Sequence, residues 1–562
     1  MEIHQLMLSQ TENKLSIKSL PKMQSLWAQR FSMVFIGAIY PLGFAPFGWW
    51  IFSLLSVLLL INEVVVRTAQ PKNSQNQTSS EKVKIKETHL SLSSMGFYWG
   101  IGAFGVGVSW VYVSIHEFGH APVPGAIAIS LLFVVTLSSV KAGGFYLIDK
   151  MATWFGKSLM ILIIPFAWVV SEFIQTSLFS GFPWLFAGYS QIDGPLWMLS
   201  TWIGVYGVSW FILAIASCLV LLLRQYLFSK NNSIKQLASS HNAYVLLVLI
   251  SVPVLSVLIR QPEIIPDKKS LNVALVQPNI PQEKKWDRRY FSQIVDVLYQ
   301  QSEKHWDVDL LVWPEGAIPA YKHQVEDIIL DLNSRSNRSG TDLLFGLPIY
   351  HANEQISYAS FISAGKYKQN YHKQVLVPFG EYMPLGDTLR GMMEFFDLPM
   401  SNFSPATSEQ FAMEFDDYQV IPAICYEITY PSIVQDLISK ADKHSDKAKL
   451  LVTVSNDAWF GDSFGPYQHM EIARMRALES GIPLVRSTND GITAVVDARG
   501  NLIKKLDRYT QDTLRYEISL TSYDTLYRRF GLLGIYGLLM MSVLIFVISW
   551  FSKRKGEVNV SQ

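Results

Sequence analysis

Apolar runs broken by short polar loops fill residues 31–260, and one further run lies near the end of the chain at 530–551. A helix that crosses a bilayer needs about 17–25 mostly apolar residues. Segments of that kind fall at 31–47, 49–66, 95–113, 124–148, 159–178, 196–223, 244–258 and 530–551. The pattern predicts a multi-pass α-helical membrane domain of about eight spans, about seven before the middle of the chain and one after it. The first two are nearly continuous and the seventh is short. Residues 1–30 are polar and lack the apolar core, about 7–15 residues long, of a cleavable signal. The first span is therefore expected to act as an uncleaved signal.

Between 270 and 522 the period changes. Short β-branched or apolar runs at 271–277, 309–313, 342–347, 420–425, 450–454 and 492–497 alternate with amphipathic stretches at 289–305, 431–441 and 467–478. Such alternation predicts an α/β domain, a class whose sites gather where strands end. Glu315, Cys425 and Asn456 each fall at such a place. The expected organisation is a tail at 1–30, a membrane domain at 31–260, a catalytic domain at 270–522, a last span at 530–551 and a second tail at 552–562.

Charge changes the picture by orienting it. Positive residues stay on the cytoplasmic side during insertion, and here they occupy every other loop. Lys14, Lys18, Lys22 and Arg30 precede the first span. Arg67, Lys72, Lys82, Lys84 and Lys86 follow the second, Lys150 and Lys157 the fourth, Arg224, Lys230 and Lys235 the sixth, and Lys553, Arg554 and Lys555 the last. The intervening short loops have none. Both termini are expected to be cytoplasmic, with 260–529 on the far side. Residues 71–88, rich in Ser, Asn, Gln and Lys, read as a flexible linker.

The 562 residues are 49% hydrophobic and only 17% charged, with a net charge of +1 and no basic stripe. That excludes a nucleic-acid partner and leaves the lipid bilayer as the first partner. Of 2 cysteines, Cys218 lies inside the sixth span and reads as small apolar packing. Cys425 stands alone in the α/β domain, so its thiol chemistry becomes the question. Pro431 suits the first turn of a helix just beyond it. If the thiol faces that helix start, the partial positive charge there favours thiolate.

Three groups of residues carry a resemblance: Trp313-Pro314-Glu315; Tyr371-His372-Lys373 running on to Gly380-Glu381; and Cys425-Tyr426-Glu427. They resemble the Glu-Lys-Cys set of the nitrilase superfamily. With the membrane spans, and with the runs Gln277-Pro278-Asn279-Ile280-Pro281-Gln282, Asn456-Asp457-Ala458-Trp459-Phe460-Gly461 and Gln468-His469, the chain resembles the apolipoprotein N-acyltransferase family. The resemblance implies an α/β nitrilase-like αββα sandwich and a triad of Glu315 as general base, Lys373 as oxyanion stabiliser and Cys425 as nucleophile. It further implies supporting roles for Glu381, Tyr426 and Glu427, with Glu381 orienting Lys373, and no metal or cofactor. The implied reaction takes an acyl chain from a phospholipid donor, through a Cys thioester, to the α-amine of a diacylglyceryl-apolipoprotein acceptor. The implied setting is the bacterial inner membrane, with the catalytic domain periplasmic and the chain a monomer.

Trp286 and Trp459 are candidates to border the substrate. Phe395 and Phe396, in a run with Met392, Met393 and Met400, are candidates for a lipid-contacting arm. Arg474, Arg476 and Glu479 recur at helical spacing, as structural ion pairs do. One alternative is a membrane-tethered nitrilase-type amidohydrolase using the same triad with water as acceptor; another is a non-catalytic lipid binder, which would need no such triad. His116-Glu117-Phe118-Gly119-His120 matches the HExxH zinc pattern. Gly119, Pro122 and Pro124 argue against the continuous helix that pattern requires.

Overall fold

The computed structural model describes residues 25–69, 89–228, 237–259, 261–352, 355–378, 380–382 and 403–560. Among the described residues six helices are long and apolar enough to cross a membrane: Trp50–Ala69, Val123–Phe155, Lys157–Ser180, Trp197–Phe228, His241–Leu258 and Leu533–Arg554. A seventh candidate is the pair Leu92–Gly107 and Val111–Phe118, bent by 64°.

Among the described residues six helices, or seven spans with the bent pair, meet that length, beside the about eight that the sequence pattern predicts. The 31–47 run is not one helix. It is the 13-residue helix Leu26–Ala38 followed by a 3-10 turn at Tyr40–Gly43, because Pro41 lacks the N–H that would continue the ladder. What holds that short helix is close packing. A Cβ on Gly37 would sit 2.0 Å from the Trp99 carbonyl oxygen, and one on Gly102 would sit 1.9 Å from that of Val34. Small residues let two helix backbones touch where lipid supplies no hydrophobic drive. The 71–88 linker lies outside the described residues.

The α/β domain contains two six-stranded sheets. The first runs Asp512–Ser519, Ser270–Gln277, Leu310–Val312, Asp342–His351, Ile356–Ala364, Asn370–His372. The second runs Leu502–Lys505, Ala494–Val496, Leu484–Thr488, Ala448–Ser455, Tyr418–Ile424, Met413–Glu414. Each has three parallel strands at its centre and antiparallel strands outside them. Alternation along Ser270–Gln277 shows why the layers stack. Leu271, Val273 and Leu275 meet Val420, Leu450 and Val452 of the second sheet, whereas Ala274 and Val276 meet Ile294, Leu298 and Leu332 on two outer helices. Strands buried on both faces in this way make an αββα sandwich.

The helix Gly465–Ser480 covers the second sheet and is buried on both sides. Met470, Ala473 and Ala477 join the core of the sandwich. Ile472, Met475 and Leu478 join the core of the membrane helices. The expected ion pairs reinforce this seam: Arg476 and Glu479 pair at 2.9 Å with both side chains 1% exposed, and Arg474 reaches Asp193 at 2.6 Å.

Candidate active site

Four strand ends converge at one edge of the sandwich. Leu310–Val312 leads to Glu315, Asn370–His372 to Lys373, Tyr418–Ile424 to Cys425, and Ala448–Ser455 to Asn456. Cys425 takes a left-handed backbone conformation, φ +52, and opens a 3-10 turn, Cys425–Thr429. That conformation costs a non-glycine residue about 1–2 kcal/mol and persists only where the surroundings impose it. Glu427 imposes it here. Fully buried, its carboxylate accepts from the Ile424 amide at 2.7 Å, from the Tyr371 hydroxyl at 3.1 Å and from the Gln374 amide. It thereby ties the residue before Cys425 to the residue after Lys373.

Lys373 is fully buried, and its Nζ donates to Glu315 Oε1 at 2.9 Å and to Glu381 Oε1 at 2.6 Å. The second oxygens are also fixed: Glu315 Oε2 accepts from the Asn456 amide at 3.0 Å, and Glu381 Oε2 from the Val377 amide at 2.9 Å. Burial alone would lower the pKa of Lys373, but the two carboxylates outweigh it and hold the ammonium form well above the usual range. One lysine thus serves two buried carboxylates, and burial leaves the Glu381 carboxyl raised.

The thiol does not follow the sequence expectation. Burial pushes the Cys425 pKa up, the charge of Glu315 adds to this, and Lys373 opposes it. The helix that was to favour thiolate begins only at Pro431, beyond the intervening turn. Sγ lies 3.3 Å from Ser455 Oγ, which is itself 2.7 Å from Asp457 Oδ1. A hydroxyl has one hydrogen, and the carboxylate is the stronger acceptor. The Ser455 oxygen is then left to accept from the thiol, and the resting group is S–H.

A buried ion pair stands behind Cys425. Arg486 Nη2 lies 3.0 and 2.9 Å from the two Asp457 oxygens and 3.0 Å from His469 Nδ1. His469 Nε2 is 3.1 Å from the Cys425 carbonyl, which can only accept, so Nε2 carries the proton and Nδ1 accepts from Arg486. Burial and Arg486 both lower the pKa of His469, in keeping with a neutral ring.

The turn after Cys425 is bonded to the membrane domain. The Tyr426 hydroxyl donates to the Gly181 carbonyl at 2.9 Å, the Tyr430 hydroxyl to the Ser180 carbonyl, and Tyr382 bonds Ser180. Phe179, Ser180 and Gly181 all have positive φ. Glycine is required at the third, since a Cβ there would lie 1.7 Å from the Thr176 carbonyl oxygen. Beside this segment Gln468 Oε1 accepts from the indoles of Trp184 at 2.6 Å and Trp110 at 3.2 Å, while its amide donates to the Gly107 carbonyl at 3.0 Å. The Cys425–Thr429 turn is anchored to membrane-domain backbone.

Two family models divide the chain along the same line. The "Apolipoprotein N-acyltransferase N-terminal domain" matches residues 36–218, and "Carbon-nitrogen hydrolase" matches 272–528. Apolipoprotein N-acyltransferase of Vibrio parahaemolyticus is 32% identical over 536 residues, covering 93% of this chain and 97% of that one. The protein of that name from Coxiella burnetii is 33% identical, covering 91% and 98%, and that from Pseudomonas aeruginosa 34% identical, covering 92% and 96%. The chain belongs to the apolipoprotein N-acyltransferase family.

Other residues singled out from the sequence take varied places in the structure. Trp286 is half-buried beside Gly316, its Cζ2 3.6 Å from where a Cβ on that glycine would be. Trp459 accepts from Ser114 Oγ through its carbonyl at 2.7 Å, and its ring meets Phe118 edge-on at 5.8 Å. Phe395 and Phe396 lie outside the described residues. The HExxH run forms a turn, Ser114–Phe118, that stops at Gly119, with His120 at positive φ and His116 Nδ1 2.9 Å from the Ala121 carbonyl. Its histidines do not share a continuous helix. Sequence reasoning passed over Lys285, buried at 3% exposure with its Nζ 2.9 Å from the Glu315 carbonyl. Its signal was its place one residue before Trp286 and three after the Gln277–Gln282 run.

Proposed function

We propose that the chain transfers an acyl chain from a membrane phospholipid, through a thioester on Cys425, to the α-amino group of the S-diacylglyceryl-cysteine that begins an apolipoprotein. The observation that carries this reading is the bond from Tyr426, next to the thiol, to Gly181 of the membrane domain. A nucleophile tied to membrane helices meets lipid substrates directly, whereas an amidohydrolase acting on soluble substrates has no use for that tie. The names of the relatives support the same reaction.

Glu315 takes the thiol proton, and the thiolate forms a C–S bond to the ester carbonyl. Two of the three Lys373 hydrogens are committed to Glu315 and Glu381. The third, with a backbone amide at Tyr426, faces the developing oxyanion; one such donor is worth about 10²–10³ in rate. The C–O bond breaks, and the proton on Glu315 leaves with the lysophospholipid. In the second half the acceptor amine forms a C–N bond, Glu315 takes its proton, and the C–S bond breaks to restore the thiol. Glu381 and Glu427 keep Lys373 and Cys425 in register. Trp286 and Trp459 border the lipid chains. The protein works as a monomer in the bacterial inner membrane, with both termini cytoplasmic and the catalytic domain periplasmic, and without metal or cofactor.

The test is product analysis with phospholipid vesicles and a diacylglyceryl-cysteinyl peptide. The peptide should gain one acyl mass with the native chain and none with Cys425→Ala. Release of free fatty acid without acylated peptide would favour the hydrolase instead.

A further inference from the structure

Lys285 sits on the one-turn helix Gln282–Lys285, which three strand-end loops grip. Asn489 clamps Ile280, just before it, through both amide and carbonyl at 3.0 and 2.7 Å. Asn456 Nδ2 donates to Gln282 Oε1 at 2.7 Å. Lys285 itself donates to the Glu315 carbonyl at 2.9 Å. The amine is therefore held within the triad's own framework, yet among the described residues it forms no ion pair. A buried ammonium that lacks a carboxylate partner is costly, and such a group sheds its proton. Two buried acceptors on the loops that flank this helix have no hydrogen-bond partner, Asn456 Oδ1 and Asp490 Oδ1, on residues 6% and 7% exposed. An amine that exchanges its proton close to neutral pH, near two unfilled acceptors, suits a ligand rich in N–H donors. The acceptor's α-ammonium is such a group.

We propose that Lys285 is a catalytic residue of the transfer half-reaction: its neutral amine takes the first proton from the acceptor's α-ammonium group, freeing that amine to attack the thioester on Cys425. This rests on the thioester reading above. The proton balance needs such a group. An α-ammonium must lose one proton before it is a nucleophile and another as the amide forms, while the departing thiolate takes back only one. Glu315 carries the proton from the new C–N bond to the Cys425 sulfur as the C–S bond breaks. The remaining proton passes to Lys285 and from there to solvent.

The energetics match. Burial lowers the pKa of Lys285 to about 8, opposed by the charges of Glu315, Asp490 and Cys425, and a peptide α-amine titrates at about 7.7–8.0. Proton exchange between matched groups is nearly free of a thermodynamic barrier. The groups that face Lys285 come from three elements, Glu315, Cys425 and Asp490. Asp490 is itself raised to about 7, first by burial and then by Asp457, with Arg508 opposing.

The full-length protein in vesicles of phosphatidylethanolamine and phosphatidylglycerol allows the two half-reactions to be timed separately. Acyl-enzyme is read by intact mass, and transfer is then started with a diacylglyceryl-cysteinyl peptide. Lys285→Met should lower the ratio of transfer rate to acylation rate by about 10² at pH 7, and the deficit should shrink as the pH rises and the peptide amine loses its proton unaided. Transfer and acylation falling together, or a ratio within twofold of the native chain, would overturn the proposal. Asp490→Asn supplies an arm that keeps the lysine. Removing a negative neighbour should move the midpoint of the transfer rate to lower pH, although the peptide's own titration is unchanged; an unmoved midpoint would overturn the assignment. No acyl-enzyme on the native chain would instead refute the thioester reading, and the proposal with it.

Discussion

Glu315→Gln separates two things that the carboxylate does to Cys425. In the proposed mechanism it removes the thiol proton as a base, and as a fixed negative charge it holds that proton on. Glu315, Lys373 and Glu381, buried side by side, carry a net charge of −1 when the carboxylates are ionised, and the substitution brings this to zero. Glu315 is the first charged group raising the pKa of Cys425. A unit charge about 5 Å away, at an effective dielectric of about 20, is worth about 3 kcal/mol, or about 2 pH units. The variant thiol should therefore ionise more readily, and at pH 8 the Cys425 peptide should be alkylated by iodoacetamide faster than in the native chain. Acyl-enzyme formation should fall by about 10²–10⁴, the usual contribution of a general base. Opposite movements of the two rates are the signature. If alkylation and acylation fall together, or acylation stays within tenfold of native, the assignment of Glu315 as base is wrong.

Further outcomes follow from single contacts. Gln468→Leu strands two indole N–H groups and the Gly107 carbonyl, at about 1–3 kcal/mol for each buried group; the thermal unfolding midpoint should drop. Glu471, buried with one bond from the Ala45 amide, has its carboxyl pushed up to about 8 by burial. A raised pKa stabilises below the unfolded value and loses that contribution as pH rises through the folded one. Thermal stability should decline from about pH 4.5 to about pH 8, and Glu471→Gln should flatten the decline; an equal slope in the variant would remove Glu471 as its cause. Cys425→Gly should unfold at a higher temperature than Cys425→Ala, since relief of the left-handed strain, about 1–2 kcal/mol, exceeds the ordinary glycine penalty of about 0.5–1 kcal/mol.

What the sequence revealed depended on how each residue earns its place. The strands 420–425 and 450–454 are continuous apolar runs, and burial on both faces keeps them legible. Leu484–Thr488 was missed because Arg486 and Ser487 interrupt its pattern, and both are polar for local reasons: one pairs with Asp457, the other donates to Val276 and Val312 carbonyls. Ile356–Ala364 is masked by its serines. The break at Tyr40–Gly43 hid inside an apolar run whose hydropathy is blind to Pro41. In the site, Glu315, Lys373 and Cys425 stood in recognisable motifs, whereas Lys285 and Gln468 look like surface polar residues until the fold buries them. The protonated resting thiol was not legible either, since it depends on desolvation and on carboxylates distant in sequence.

The central claim is that Cys425 carries the acyl chain. Intact mass of the full-length protein after incubation with phospholipid tests it most directly. The account predicts one added acyl mass on the native chain, located at Cys425, removed by hydroxylamine and absent from Cys425→Ala. A native chain that stays unmodified while acylated peptide still accumulates would contradict it.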